Sequence, residues 1–157
     1  MRQRKSLRAA HYKENEMRKM SLIITIMVLM AASVAAEGLA AEAIAIKEMY
    51  PIGYQVIVDH AEQEWGSDYT MVVHQINKQT KANVECLGIW SSGGIDMQLW
   101  SDAYQKWSYE GSLAKNIDLL VAFLDNKTGW AGLLSADVDW EMIAYTYKKE
   151  LAAKSAY

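Results

Sequence analysis

Asp68-Tyr-Thr-Met-Val-Val-His-Gln-Ile-Asn-Lys-Gln-Thr-Lys-Ala-Asn-Val-Glu-Cys-Leu87 is the stretch that decides the fold class. Val73, Ile76, Thr80, Val84 and Leu87 recur at steps of three and four. That spacing puts them on one side of an α-helix, with Gln75, Lys78, Gln79 and Lys81 on its other faces. Asp68 stands just ahead, where its carboxylate can accept from the free N–H groups of the first turn. The segment reads as one capped, amphipathic helix.

The same pattern continues on both sides of it. Upstream, Leu39, Ala43, Ile46 and Tyr50 form one stripe, which Pro51 and Gly53 are expected to stop. Tyr54, Ile57, Val58, Ala61 and Trp65 form the next, ending at Gly66. Downstream stripes are Leu99, Trp100, Ala103, Tyr104 and Trp107; Ile117, Leu120, Val121 and Leu124; and Trp140, Ile143, Tyr147 and Leu151. Sustained period-two alternation is absent. Breaks at Ser91–Gly94, Glu110–Ser112 and Asn126–Val138 carry turn residues. The expected fold is all-α, a single compact bundle of five or six amphipathic helices over residues 37–157.

A faint internal repeat supports the capped-helix reading. Asp68-Tyr-Thr-Met resembles Asp139-Trp-Glu-Met, and Asp96-Met-Gln-Leu fits more loosely. In each, Asp is the expected N-cap and Met or Leu begins the buried stripe. Spacings of 28 and 43 residues between the three Asp exclude a regular solenoid period.

The N-terminus has a different character. Residues 1–20 hold seven basic side chains against two acidic ones, a net charge of +5. Residues 21–36, Ser-Leu-Ile-Ile-Thr-Ile-Met-Val-Leu-Met-Ala-Ala-Ser-Val-Ala-Ala, carry no charge. A basic start, an apolar middle and a small-residue end are the three parts of a secretory signal peptide. Cleavage is expected after Ala35 or Ala36, with translation starting at Met1, Met17 or Met20. An uncleaved anchor is the alternative. The uncharged run Met20–Ala36 is 17 residues, whereas a spanning helix needs about 20. No cysteine follows for lipid attachment.

Of the 157 residues, 52% are hydrophobic and 22% charged, with net charge −3. Without residues 1–36, nine lysines face 17 acidic side chains, a net −8 over 121 residues, and no arginine remains. Such a surface repels phosphate backbones, so nucleic acid is not an expected partner. A membrane is expected only if the N-terminal segment stays attached. Cys86, the one cysteine, excludes a disulfide framework and multi-cysteine metal sites. It is expected either to be buried or, if exposed, to link a dimer.

Motifs for chemistry are sparse. His60 and Glu64, four apart, and His74 offer a weak metal set without any established ligand spacing. Glu62, Glu64, Asp68, Asp96 and Asp139 are available carboxylates for hydrolysis. There is no nucleophile elbow, phosphate loop or haem attachment motif, and no cofactor is expected. Asn126-Lys127-Thr128 is a glycosylation acceptor that matters only on a eukaryotic secretory route. All six tryptophans follow residue 36. Trp65, Trp100 and Trp107 fall on core stripes. Trp90 and Trp130 sit beside glycines in breaks, where an aromatic serves as a binding anchor or as a plug closing the bundle.

These features lead to an exported, periplasmic or secreted, non-catalytic binding module of bacterial type, with Trp90, Trp130 and Asp96 as its ligand-binding residues. An unknown protein, small molecule or glycan is the expected partner. The alternatives are a small exported carboxylate- or metal-dependent hydrolase using His60 as accessory, and a membrane-tethered accessory subunit.

Overall fold

The structure is a computed structural model that describes residues 15, 17–26 and 38–156. Among the described residues there are eight helices and no strand. They are α1 (residues 17–26), α2 (Ala41–Met49), α3 (Pro51–Trp65), α4 (Tyr69–Ser91), α5 (Met97–Lys106), α6 (Leu113–Leu124), α7 (Trp130–Leu134) and α8 (Trp140–Ser155).

The all-helical expectation holds, and the three Asp caps are where the repeat placed them. Met71, Leu99 and Met142 each donate a backbone N–H to the Asp three residues earlier, at 3.1, 3.2 and 3.1 Å. Each bond satisfies a donor that a helix start otherwise leaves unpaired. The helix count differs because α1 and α7 lie outside the expected five or six. Pro51 also starts α3 instead of merely ending α2. Its locked φ suits the first helical position, where no N–H is needed.

The 23-residue α4 is the central element and touches α2, α3 and α8. α5 packs on α8 and α6, and α7 packs on α3 and α6. α3 and α7 approach closely because Gly53 has no side chain. A Cβ there would lie 2.5 Å from Leu134 Cγ.

Aromatic rings fill the centre. Trp100, Trp130, Trp140 and Tyr104 have no exposed surface. Phe123 packs edge-on against Trp90 at 4.9 Å and Trp130 at 5.9 Å, and Trp90 meets Trp100 edge-on at 5.6 Å. Such edge-to-face contacts are favoured by the ring quadrupole. Polar side chains tie the helices across this core. Gln79 of α4 donates to Asp139 and accepts from the Trp140 N–H, at 2.9 and 2.8 Å. Gln79 is therefore buried, although its place in the α4 pattern put it on another face. Trp65, read as a core residue, is 37% exposed. It ends α3, and the turn from 62 to 70 stands clear of the bundle throughout. Val121 and Leu151 are likewise exposed.

The cleavage positions Ala35 and Ala36 lie outside the described residues. Within α1, Met17 and Ile24 are buried in the core cluster while Leu22, Ile23 and Ile26 are exposed. No helix among the described residues is long and apolar enough to cross a membrane.

Candidate functional site

Of the expected ligand residues, Trp130 is fully buried, while Trp90 and Asp96 are half-buried and make contacts within the fold. Trp130 is the first residue of α7, not part of a loop, and its ring is fully enclosed. Its Nε1 donates to Asn83 Oδ1 at 3.2 Å. No surface of it is open to a ligand, because the short helix turns the ring inward onto Phe123 and Trp140. Trp90 lies in the last turn of α4, half-buried against Trp100 and Phe123.

Asp96 caps α5, and its Oδ2 accepts from Lys154 Nζ at 2.7 Å. The ammonium first, and the Leu99 N–H next, hold its carboxyl below the usual range. A lowered folded pKa favours the charged form, so this contribution is complete above the ordinary carboxylate pKa of about 4. It is lost as pH falls through the lower folded value. Asp96→Asn should therefore lose less stability between neutral and acidic pH than the unaltered chain, read as urea midpoints. Identical pH dependence in the two would contradict this.

Cys86 is fully buried, with Sγ 3.9 Å from the Trp140 carbonyl. The dimer-linking role needed an exposed thiol, and burial removes it. Desolvation pushes the thiol far up, so the reactive thiolate is suppressed. Iodoacetamide should leave the folded chain unmodified and label it once in denaturant. Labelling of the native chain at a free-thiol rate would refute this placement.

The carboxylates proposed for hydrolysis are helix caps or face solvent. Asp68, Asp96 and Asp139 are helix caps, and Glu62 and Glu64 are exposed on the last turn of α3. His60 lies instead in a small polar cluster. Its ring stacks on Tyr109, centroids 3.6 Å apart and 16° from parallel. Nδ1 is 3.5 Å from Asp137 Oδ1, and Nε2 is 4.0 Å from Glu64 Oε2. Each nitrogen faces a different carboxylate, so the two cannot share one metal. His74 is exposed elsewhere on α4, and among the described residues no three His, Cys, Asp or Glu are placed to hold an ion. Burial, then the charges of Asp139, Glu64 and Asp137, push the Tyr109 hydroxyl up. The cavity beside this cluster is about 10 Å³, room for one water.

A larger opening lies between the α2–α3 junction and α7. This groove is about 370 Å³ and is lined by Met49, Tyr50, Pro51, Ile52, Gly53, Ala131, Gly132 and Ser135. Its size falls in the range of small-molecule sites. Ile52 is 76% exposed at its edge. Gly132 packs tightly on Thr128, since a Cβ there would meet Thr128 Oγ1 at 1.9 Å. No lining residue was assigned a function by sequence; Tyr50 was read as the end of a stripe, with Pro51 and Gly53 as its stop.

The fold is all-helical, with this groove open on its surface. Comparison with protein families, curated proteins and solved structures found no match.

Proposed function

We propose that this chain is a non-catalytic binding module acting outside the cytoplasm, with the α2–α3/α7 groove as its ligand seat. The groove carries the reading, because it joins an apolar lining to few polar groups, as ligand pockets do. The engagement of Asp68, Asp96 and Asp139 as caps supports binding over hydrolysis. The basic-then-apolar N-terminus supports export. The groove is preferred as the seat because, unlike the buried Trp130, its lining is a surface that a ligand can reach.

An apolar fluorescent probe, anilinonaphthalene sulfonate, tests the seat. One saturable site is expected on the folded chain, abolished by Ala131→Trp. Ala131 is exposed, so the larger ring fills the groove without entering the core. Undiminished binding by the variant, or none by the parent, would reject the seat.

One observation favours the membrane-tethered reading as a second. α1 buries Met17 and Ile24 while leaving Leu22, Ile23 and Ile26 uncovered. Intact mass from the native host separates the two. A soluble species starting at residue 36 or 37 supports export with cleavage, and a membrane species retaining the N-terminus supports the tether.

A further inference from the structure

Three hydrogen-bond donors on the groove lack an acceptor among the described residues. α3 starts at Pro51, so Ile52 and Gly53 carry first-turn N–H groups that no carbonyl of their own helix reaches. Its N-cap, Tyr50, supplies no side-chain cap, and among the described residues neither N–H has a partner. The third donor is the Tyr50 hydroxyl. The residue is only 9% exposed, lines the same groove, and has no side-chain hydrogen bond among the described residues. Burial pushes this hydroxyl up, so it stays protonated and able to donate.

The remaining lining is apolar or already satisfied. Met49, Ile52 and Ala131 supply hydrocarbon, and Ser135 Oγ donates to the Gly132 carbonyl at 2.6 Å. No lysine, arginine or carboxylate lines the groove. A dianion such as phosphate would find no counter-charge there, and an ammonium would find no carboxylate. The start of a helix favours one oxygen carrying partial or single negative charge.

The geometry points to an acyl ligand, with a carbonyl or carboxylate oxygen at the start of α3 and at the Tyr50 hydroxyl, and a short hydrocarbon chain along Met49, Ile52 and Ala131. This rests on the groove being the ligand seat. Free carboxylates and amide- or ester-linked acyl groups share that chemistry.

Full-length, nitrogen-labelled protein titrated with octanoate, octanamide and octylamine tests it by amide chemical shifts. Octanoate and octanamide should move the Ile52 and Gly53 signals. Octylamine, with no acceptor oxygen, should bind about tenfold more weakly or worse, the worth of one good hydrogen bond. Tyr50→Phe should weaken the two acyl probes by a similar factor. Preference for octanoate identifies a free carboxylate as source, and preference for octanamide a linked acyl group. Equal binding of all three probes in the groove overturns the acyl head group and leaves the seat standing. Shifts elsewhere, or none, overturn both. The shifts are read in the unaltered chain, so they decide the matter even if Tyr50→Phe fails to fold.

Discussion

Trp130→Ala should lower the unfolding free energy by about 3–5 kcal/mol, the range for deleting a buried large aromatic. The ring has no exposed surface and packs within 5.9 Å of both Phe123 and Trp140, centroid to centroid. Alanine removes those contacts and leaves a cavity that the flanking helices cannot close without moving. It also takes the donor from Asn83 Oδ1, on a buried amide whose Nδ2 has no partner among the described residues. The thermal midpoint should fall on the order of 10 °C for a domain of this size. Trp130→Phe should recover most of the packing but not the bond to Asn83, and so fall between the two. Urea unfolding of the three chains checks the order. A loss under about 1 kcal/mol for alanine would mean a solvent-facing ring, since surface substitutions seldom exceed that. The ligand-anchor reading of Trp130 would then return.

That the ring faces inward was not legible in the sequence, for a physical reason. α7 has five residues, too few to show a helical period, and Gly129 and Gly132 beside it resemble loop punctuation. The Asp caps were legible because the capping carboxylate and the N–H it accepts from are only three residues apart. Periodicity also found the inward face of α5, where Trp100, Ala103 and Tyr104 are buried. It tells which face turns in, but not how far the neighbours extend. Trp65 shows this, being in phase with Ala61 yet 37% exposed at the end of α3. Gln79 shows the converse. Its polarity suggested solvent, but its two amide ends match Asp139 and the Trp140 N–H across the core. The groove joins residues 49–53 to 131–135, and no local pattern announces which helices abut.

The second large effect is expected at Asn116, and it concerns how an irregular segment is held without a sheet. Asn116 lies on α6 with no exposed surface. Its Nδ2 donates to the Asp137 carbonyl at 2.7 Å, and its Oδ1 accepts from the Asp137 N–H at 3.1 Å. One amide side chain thus pairs both backbone groups of one residue, as a neighbouring strand would. Around it, Tyr109 N–H donates to the Asp137 carbonyl at 3.1 Å and Asp139 N–H to the Trp107 carbonyl at 2.9 Å. Asp137 in turn faces His60 on α3 at 3.5 Å. Asn116→Leu keeps the number of side-chain heavy atoms, adds volume, and removes both side-chain bonds. The Asp137 N–H loses its partner in a half-buried place, while the carbonyl keeps the Tyr109 N–H. The expected loss is about 2–4 kcal/mol, from two bonds broken and one donor left unmet. The larger side chain alone also costs about 1–3 kcal/mol at a fully buried site, so the size of the loss does not by itself identify the bonds. Hydrogen exchange separates the two accounts. Loss of the pairing should speed exchange at Tyr109, Asp137 and Asp139 beyond the global change, with α3 and α4 following only global stability. Uniform acceleration along the chain would reduce Asn116 to a space-filling side chain. Unchanged stability would mean that water replaces both bonds at no net cost.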